Sequence, residues 1–313
     1  MKWKLFFIAI LSSIFLGGCT NPGSQNDKAP LIQTTVYPIQ FIIERLSEGS
    51  IDVKTIYPPG TDAHSYEPTA KAMTDIAESD AFIYLGEELE TFASTSAEAL
   101  SSEDVQLVEL AEHEELFETN SLPDDHEHES HKNPDGHSHS DHDPHVWLDP
   151  LRMLEMADII KGELSSLYPK QKKAFEQNFK ALEKDLKRLD SQFSETLTSK
   201  DRKEILVSHP AYGYWEERYG IEQIAINGVN NTSEPSQKDL INIIERAESL
   251  EIRYVIFEQN VSDNVSKEIQ TQIDGEALQV HNLAVLTEAD INHGEDYFSL
   301  MKKNLQTLDK ATD

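Results

Sequence analysis

Asp143-Pro144-His145-Val146-Trp147-Leu148-Asp149-Pro150 follows a segment unlike the rest of this 313-residue chain. Between Asp124 and Asp143 stand six of the twelve histidines, His126, His128, His131, His137, His139 and His142, set among acids with almost no apolar residue. Such a segment cannot fold onto a core, so it reads as a solvated loop. His145 is placed differently. Prolines flank its stretch and restrict the backbone on either side, and Val-Trp-Leu follows the imidazole directly. Rigid apolar support is what a fixed metal ligand needs, whereas the loose histidines before it can bind metal only adaptively. The reading is one ordered ligand beside a metal-collecting loop; the blander alternative for the loop is a spacer.

Working outward, Asp149-Pro150 opens a helix with Leu151, Leu154, Ala157, Ile160 and Leu164 on one side. After Tyr168-Pro169 a second stripe runs through Phe175, Phe179, Leu182, Leu186, Leu189, Phe193 and Leu197. Gaps of four and three describe one helical face. A helix of ~28 residues reaches roughly 40 Å, long enough to run along two lobes. Before this pair, strands are expected at Leu31–Thr35, Ile51–Tyr57, Ala81–Leu85 and Val105–Leu110. Helices lie between them, one capped by Thr69 and one over Thr91–Leu100. After the pair, strands at Glu204–Val207, Ile221–Ile226, Arg253–Phe257 and Leu278–Leu283 alternate with helices over Ser236–Leu250, Ser262–Ile273 and Tyr297–Leu308. Strands separated by helices predict an α/β fold with parallel sheets. In such folds ligands gather in loops after the carboxyl ends of strands. His64 lies in one such loop, Thr61-Asp62-Ala63-His64-Ser65-Tyr66-Glu67-Pro68. His209 directly follows another strand, and the aromatics Tyr212, Tyr214 and Trp215 come after it.

The formal charge of −30 excludes nucleic acid as a partner, because phosphate backbones need clustered Lys and Arg. It suits a protein that attracts cations. Met1-Lys2-Trp3-Lys4 is a short basic region, and the apolar run Leu5–Leu16 is too short to span a membrane. It closes in Leu16-Gly17-Gly18-Cys19, which resembles a bacterial lipobox. Residues 1–18 then form a lipoprotein signal peptide, Cys19 carries the lipid, and residues 19–30 are a flexible tether. Cys19 is the single cysteine, so no disulfide can form within the chain.

Taken in order, the lipobox, the Pro-Pro-Gly-Thr-Asp-Ala-His-Ser-Tyr-Glu-Pro loop, the His-rich insert, Asp-Pro-His-Val-Trp-Leu-Asp-Pro and Ser-His-Pro-Ala-Tyr-Gly-Tyr resemble one family. It is the metal-specific family of solute-binding proteins, in particular the zinc-binding lipoproteins of ATP-driven import systems; manganese binders belong to it too. The resemblance covers essentially all of residues 1–313. It implies two α/β lobes joined by one long rigid helix: an N-terminal lobe over 31–165 holding the loop 124–142, a connector over 166–200, and a C-terminal lobe over 201–313. Zn²⁺ is then the transported ligand, held between the lobes by His64, His145 and His209. The family's fourth place, an Asp or Glu near the C-terminal end, matches Glu288, with Asp290 as the neighbouring candidate. The implied partners are an ABC permease with its ATPase and, through Cys19, the extracytoplasmic face of the membrane; the protein is expected to be monomeric and not an enzyme. His113, His281 and His293 match no ligand position.

Three imidazoles and a carboxylate form a four-coordinate N/O shell suited to Zn²⁺. The other readings are a manganese-binding homologue, a zinc hydrolase, and a surface adhesin that carries metal. Against the hydrolase, no His-Glu-x-x-His arrangement supplies a base. The lipid anchor has a direct test. A diacylglyceryl group supplies the two chains that stable anchoring requires, so Cys19→Ala should release the protein from membranes or stall its processing. Wild-type membrane retention of that variant, measured by fractionation, contradicts the anchor.

Overall fold

Leu31–Thr34 (β1) is the strand from which the N-terminal sheet is built outward. It pairs in parallel with Asp52–Thr55 (β2) on one side and Ala81–Tyr84 (β3) on the other, and β3 pairs with Gln106–Glu109 (β4). The order is β2-β1-β3-β4. In this computed structural model the described residues are 29–87, 89–117, 143–227, 235–259 and 264–313. Cys19 and the loop histidines His126, His128, His131, His137, His139 and His142 lie outside them. A second parallel sheet repeats the plan. Glu204–Val207 (β5) pairs with Glu222–Ala225 (β6) and Tyr254–Glu258 (β7), and β7 pairs with Glu276–Val280 (β8). The order is β6-β5-β7-β8, so the architecture is α/β with two lobes.

Local chemistry sets the helix ends. Tyr37–Ser47 (α1) carries Pro38 in its first turn, and Ala70–Ala77 (α2) starts where the Thr69 hydroxyl accepts the Ala72 N–H. Ala93–Leu100 (α3) completes the N-terminal set. Asp149 caps Pro150–Leu167 (α4) by accepting the Leu151 N–H. In the second lobe Ser236 and Asp239 form a capping box for Gln237–Ser249 (α7), which Asn264–Gln272 (α8) follows in sequence. The expected helices and strands are all present, most with ends shifted by one or two residues. Two short helices were not foreseen: Gly213–Tyr219 (α6) and Glu288–His293 (α9). At seven and six residues neither is long enough for a 3.6-residue period to register.

Lys172–Leu197 (α5) is 26 residues long, roughly 40 Å. It buries Phe175, Leu182, Leu186, Leu189, Phe193 and Leu197, the predicted stripe apart from Phe179. Near its start Asn178 donates to the Leu46 carbonyl at the end of α1, and Arg45 of α1 reaches Asp185 at 3.0 Å. Farther along, the Phe193 ring packs at a tilt against Trp215 and Tyr219 of α6, and the helix also meets Tyr297–Ala311 (α10). One buried apolar cluster therefore runs from Ile32 and Phe82 in the first sheet through α5 to Trp215, Tyr297 and Leu308. A smaller cluster of Leu206, Ile224, Val255 and Ile269 lies in the second lobe with α7 packed on it.

One acid is sealed inside this framework. Glu90, fully buried beside the carboxyl end of β3, accepts the N–H groups of Leu85 and Gly86 at 3.1 and 3.2 Å. Gly86 has φ +143°, and a Cβ there would lie 2.5 Å from that of Ala111, so only glycine fits the turn. Burial pushes the Glu90 carboxyl up to about 7, against the lowering effect of its hydrogen bonds. Raised above its unfolded value, this group contributes stability that is full below about 4.5 and lost as pH rises through about 7. Glu90→Gln removes the titration. Denaturant melts at pH 5 and pH 8 should therefore show the variant gaining on the wild type at the higher pH, by on the order of 2–3 kcal/mol. An equal difference at both pH values would show that Glu90 titrates as an ordinary carboxyl.

Candidate metal site

His64, His145 and His209 come from three separate loops. His64 follows β2, His209 stands two residues after β5, and His145 precedes a 3₁₀ turn, Val146–Leu148, that leads into α4. Their ring centroids are 5.1–5.4 Å apart, and one nitrogen from each lies within 4.8 Å of the others. Among the described residues this is the one group of three or more His, Cys, Asp and Glu with that spacing. His145 and His209 are each 1% exposed, and His64 is half-buried.

Two of the imidazoles are oriented by carboxylates. His145 donates from Nδ1 to Asp143 Oδ1 at 2.7 Å, and its backbone N–H donates to the same oxygen at 3.0 Å. His209 donates from Nδ1 to Glu258 Oε1 at 2.8 Å. A carboxylate behind Nδ1 places the proton there and leaves the Nε2 lone pair facing the centre, as a metal ligand requires. Burial would raise the Glu258 carboxyl, but the hydrogen bond and charge of His209, the charge of His145 and the Asn282 amide hold it below its ordinary range. It therefore stays ionised behind His209. Burial, together with the repulsion of His145 and His209, pushes His64 down to about 4. His64 is thus neutral at neutral pH.

Surrounding side chains lock these partners. Tyr214 Oη donates to the Asp143 carbonyl at 2.7 Å, Trp215 Nε1 to Leu148, and Tyr297 Oη to Trp147. Trp147 Nε1 in turn donates to the Asn282 carbonyl. Three C-terminal-lobe aromatics thereby hold the backbone around His145. A Cβ on Gly213 would lie 2.7 Å from Asp143 Oδ2, so the absence of a side chain there lets the acid sit behind its histidine. Tyr212 donates to Glu258 Oε1, and Asn282 Nδ2 donates to Oε2.

Glu288 is not brought to this group, and the expectation that it fills the fourth place is corrected. The run Leu286-Thr287-Glu288-Ala289-Asp290 is a helix start. Thr287 and Asp290 form a capping box, and Glu288 is the exposed first residue of α9. Asp290 is equally occupied, accepting from Thr287 and from His281 Nε2 at 3.0 Å. A small cavity beside the histidines is lined by Gly60–Ala63, Glu258, Gln259, Asn282, Ala284 and Val285. The carboxylates that do serve the site, Asp143 and Glu258, act from behind the imidazoles. Asp143 sits two residues before its histidine, but Glu258, 49 residues from His209, carried no signal in the sequence. His113 lies beside Glu115, His281 beside Asp290, and His293 is exposed at the end of α9.

Known zinc-binding proteins resemble this chain along nearly its whole length. The zinc-binding lipoprotein AdcA of Streptococcus pneumoniae is 32% identical over 100% of this chain, which spans 62% of that relative's length. The high-affinity zinc uptake system protein ZnuA of Bacillus subtilis is 27% identical over 98% of this chain and 97% of its own. The Zn(II)-bound ZnuA-like domain of S. pneumoniae AdcA superposes with a TM-score of 0.72 at 30% identity, covering 91% of this chain and 99% of that one. Residues 32–311 match the family described as zinc-uptake complex component A, periplasmic. With three converging imidazoles between two parallel-sheet lobes and a family match over nearly the whole described chain, this protein belongs to the zinc-uptake component A family.

Proposed function

We propose that this chain is the extracytoplasmic zinc-capturing component of an ABC importer, anchored through Cys19 and delivering Zn²⁺ as a monomer to a membrane permease driven by its ATPase. The observation that carries the reading is the convergence of His64, His145 and His209, their donor nitrogens within 4.8 Å of one another. Nitrogen donors in a tetrahedral arrangement suit Zn²⁺. The relatives' names supply zinc and uptake; the chain's own residues supply the donor set. No helix among the described residues is long and apolar enough to cross a membrane.

On this reading residues 31–165 and 201–313 are the two lobes, and 166–200 connects them. The histidines of the loop 124–142 collect zinc loosely and raise its concentration near His145. The fourth coordination position is left to a solvent molecule. Ala284 and Val285 carry no donor side chain, and the carboxylates that line the cavity already accept hydrogen bonds, Asp62 from the His64 N–H and Ser65 and Glu258 from His209, Tyr212 and Asn282. Capture is favoured over hydrolysis by the same placement: Asp143 and Glu258 stand behind the ligands, where they orient imidazole and cannot take a proton from a bound water.

Selectivity for zinc over manganese rests on His209, since harder oxygen donors suit Mn²⁺. On a chain lacking residues 124–142, metal analysis should find one tightly held zinc. In that background His209→Ala and His209→Glu should each weaken zinc at least tenfold, about 1.4 kcal/mol, and only the Glu variant should gain in manganese competition. Parental zinc affinity in His209→Ala would remove this residue from the site.

The orienting carboxylate gives a separate measurement. Asp143→Ala should lower zinc affinity roughly 10- to 100-fold while leaving all three imidazoles in place. Chelator competition reads this directly, and an unchanged constant would mean that Asp143 has no part in holding His145.

A further inference from the structure

His64 is held differently from the other two ligands. Among the described residues, Asp143 and Glu258 orient His145 and His209, but no side chain is hydrogen-bonded to the ring of His64. Its position is set through its backbone. The His64 N–H donates to Asp62 Oδ1 at 3.0 Å, and Ser65 Oγ donates to Asp62 Oδ2 at 3.1 Å, which folds the residues around it into a tight turn. A turn fixes local shape but not where the turn sits. That is decided one residue earlier, at the carbonyl of Ala63.

The Ala63 oxygen faces the hydroxyl of Tyr57 at 3.5 Å, and the same hydroxyl lies 3.4 Å from Glu90 Oε1. Tyr57 stands just after β2 and is 2% exposed. Its ring meets Tyr66 edge-on at 4.9 Å and Phe92 at 6.4 Å, and Tyr66 Oη ties back to the Ile56 carbonyl. Glu90 is itself fastened to the turn after β3 by the Leu85 and Gly86 N–H groups. A buried path thus leads from the sheet through Glu90 and Tyr57 to Ala63, and so to His64. Packing accounts for the Tyr57 ring. It does not account for a buried hydroxyl placed between the carbonyl before a ligand and a fully buried carboxyl.

We propose that Tyr57, seated against Glu90, is a positioning residue that sets the reach of His64 toward His145 and His209. The third imidazole is thereby placed from inside the N-terminal sheet, where the other two are placed by carboxylates. This rests on the three-histidine site proposed above. It also explains why the half-buried ligand needs no carboxylate of its own.

The test is a double-mutant cycle in the full chain, with zinc affinity read by chelator competition. Tyr57→Phe keeps the ring and removes the hydroxyl, so the fold should persist, and thermal melts of the metal-free variants check that it does. The tight zinc site should weaken roughly three- to tenfold, the range of one buried hydrogen bond. His64→Ala should weaken it further, and adding Tyr57→Phe to His64→Ala should then cost nothing more. A purely structural role for the hydroxyl would lower affinity equally in both backgrounds. Such additivity overturns the proposal, as does a Tyr57→Phe affinity within twofold of the parent. If His64→Ala binds zinc like the parent, the three-histidine site itself fails and takes this proposal with it; the two failures are therefore distinguishable.

Discussion

Everything in this molecule serves one costly juxtaposition: three imidazole rings, each about 5 Å from the next, largely withdrawn from water. Neutral imidazoles tolerate such burial and proximity and protonated ones do not: desolvation first, and then the repulsion of His145 and His209, depress the pKa of His64. Lone pairs crowded together also gain nothing from one another unless something binds them. Rings in that position would turn away unless the framework prevented it. Carboxylates behind Nδ1 prevent it at His145 and His209, and the loop backbone does so at His64.

That framework is rigid because its two halves share one core. α5 buries its apolar face against elements of both lobes, and the larger apolar cluster is continuous across them. The segment Asp143–Leu148 is gripped by Tyr214, Trp215 and Tyr297 from the second lobe. Backbone bonds cross as well, from Tyr37 N–H to the Ala284 carbonyl at 2.8 Å and from Gly60 N–H to Leu286 at 2.9 Å. Separating the lobes would break these bonds and expose the shared core. A site built this way presents a fixed donor set.

The loop Asn282–Leu286 shows how backbone strain and site are linked. Leu283 adopts φ +61°, an uncommon conformation for a branched residue, and is fully buried. Its N–H donates to His281 Nδ1, while His281 Nε2 is tied to Asp290 in the α9 cap. This arrangement fixes Asn282 where it can reach Glu258 and Trp147. The histidine that matched no ligand position thus supports the wall of the site without touching its centre.

Much of this was legible in the chain because the deciding information is local. Strand and helix alternation, the Thr69, Ser236 and Asp149 caps and the α5 stripe each depend on residues a few positions apart. His64, His145 and His209 stood out because each sits in a turn-rich or proline-flanked stretch at a strand or helix junction. Glu288 was misplaced for the same reason: a carboxylate at the right distance from a tyrosine-bearing helix looks like a ligand until Thr287 and Asp290 close a capping box around it. Glu258, Glu90 and Tyr57 owe their roles to side chains that meet only when β2, β3, β5 and β7 are stacked into sheets. Sequence alone singled out the three histidines that the fold brings together and most of the segments that are helix or strand. Tertiary structure decided which carboxylates stand behind the imidazoles and which face solvent, because that depends on contacts between residues as far apart as 49 positions, and no local period records them.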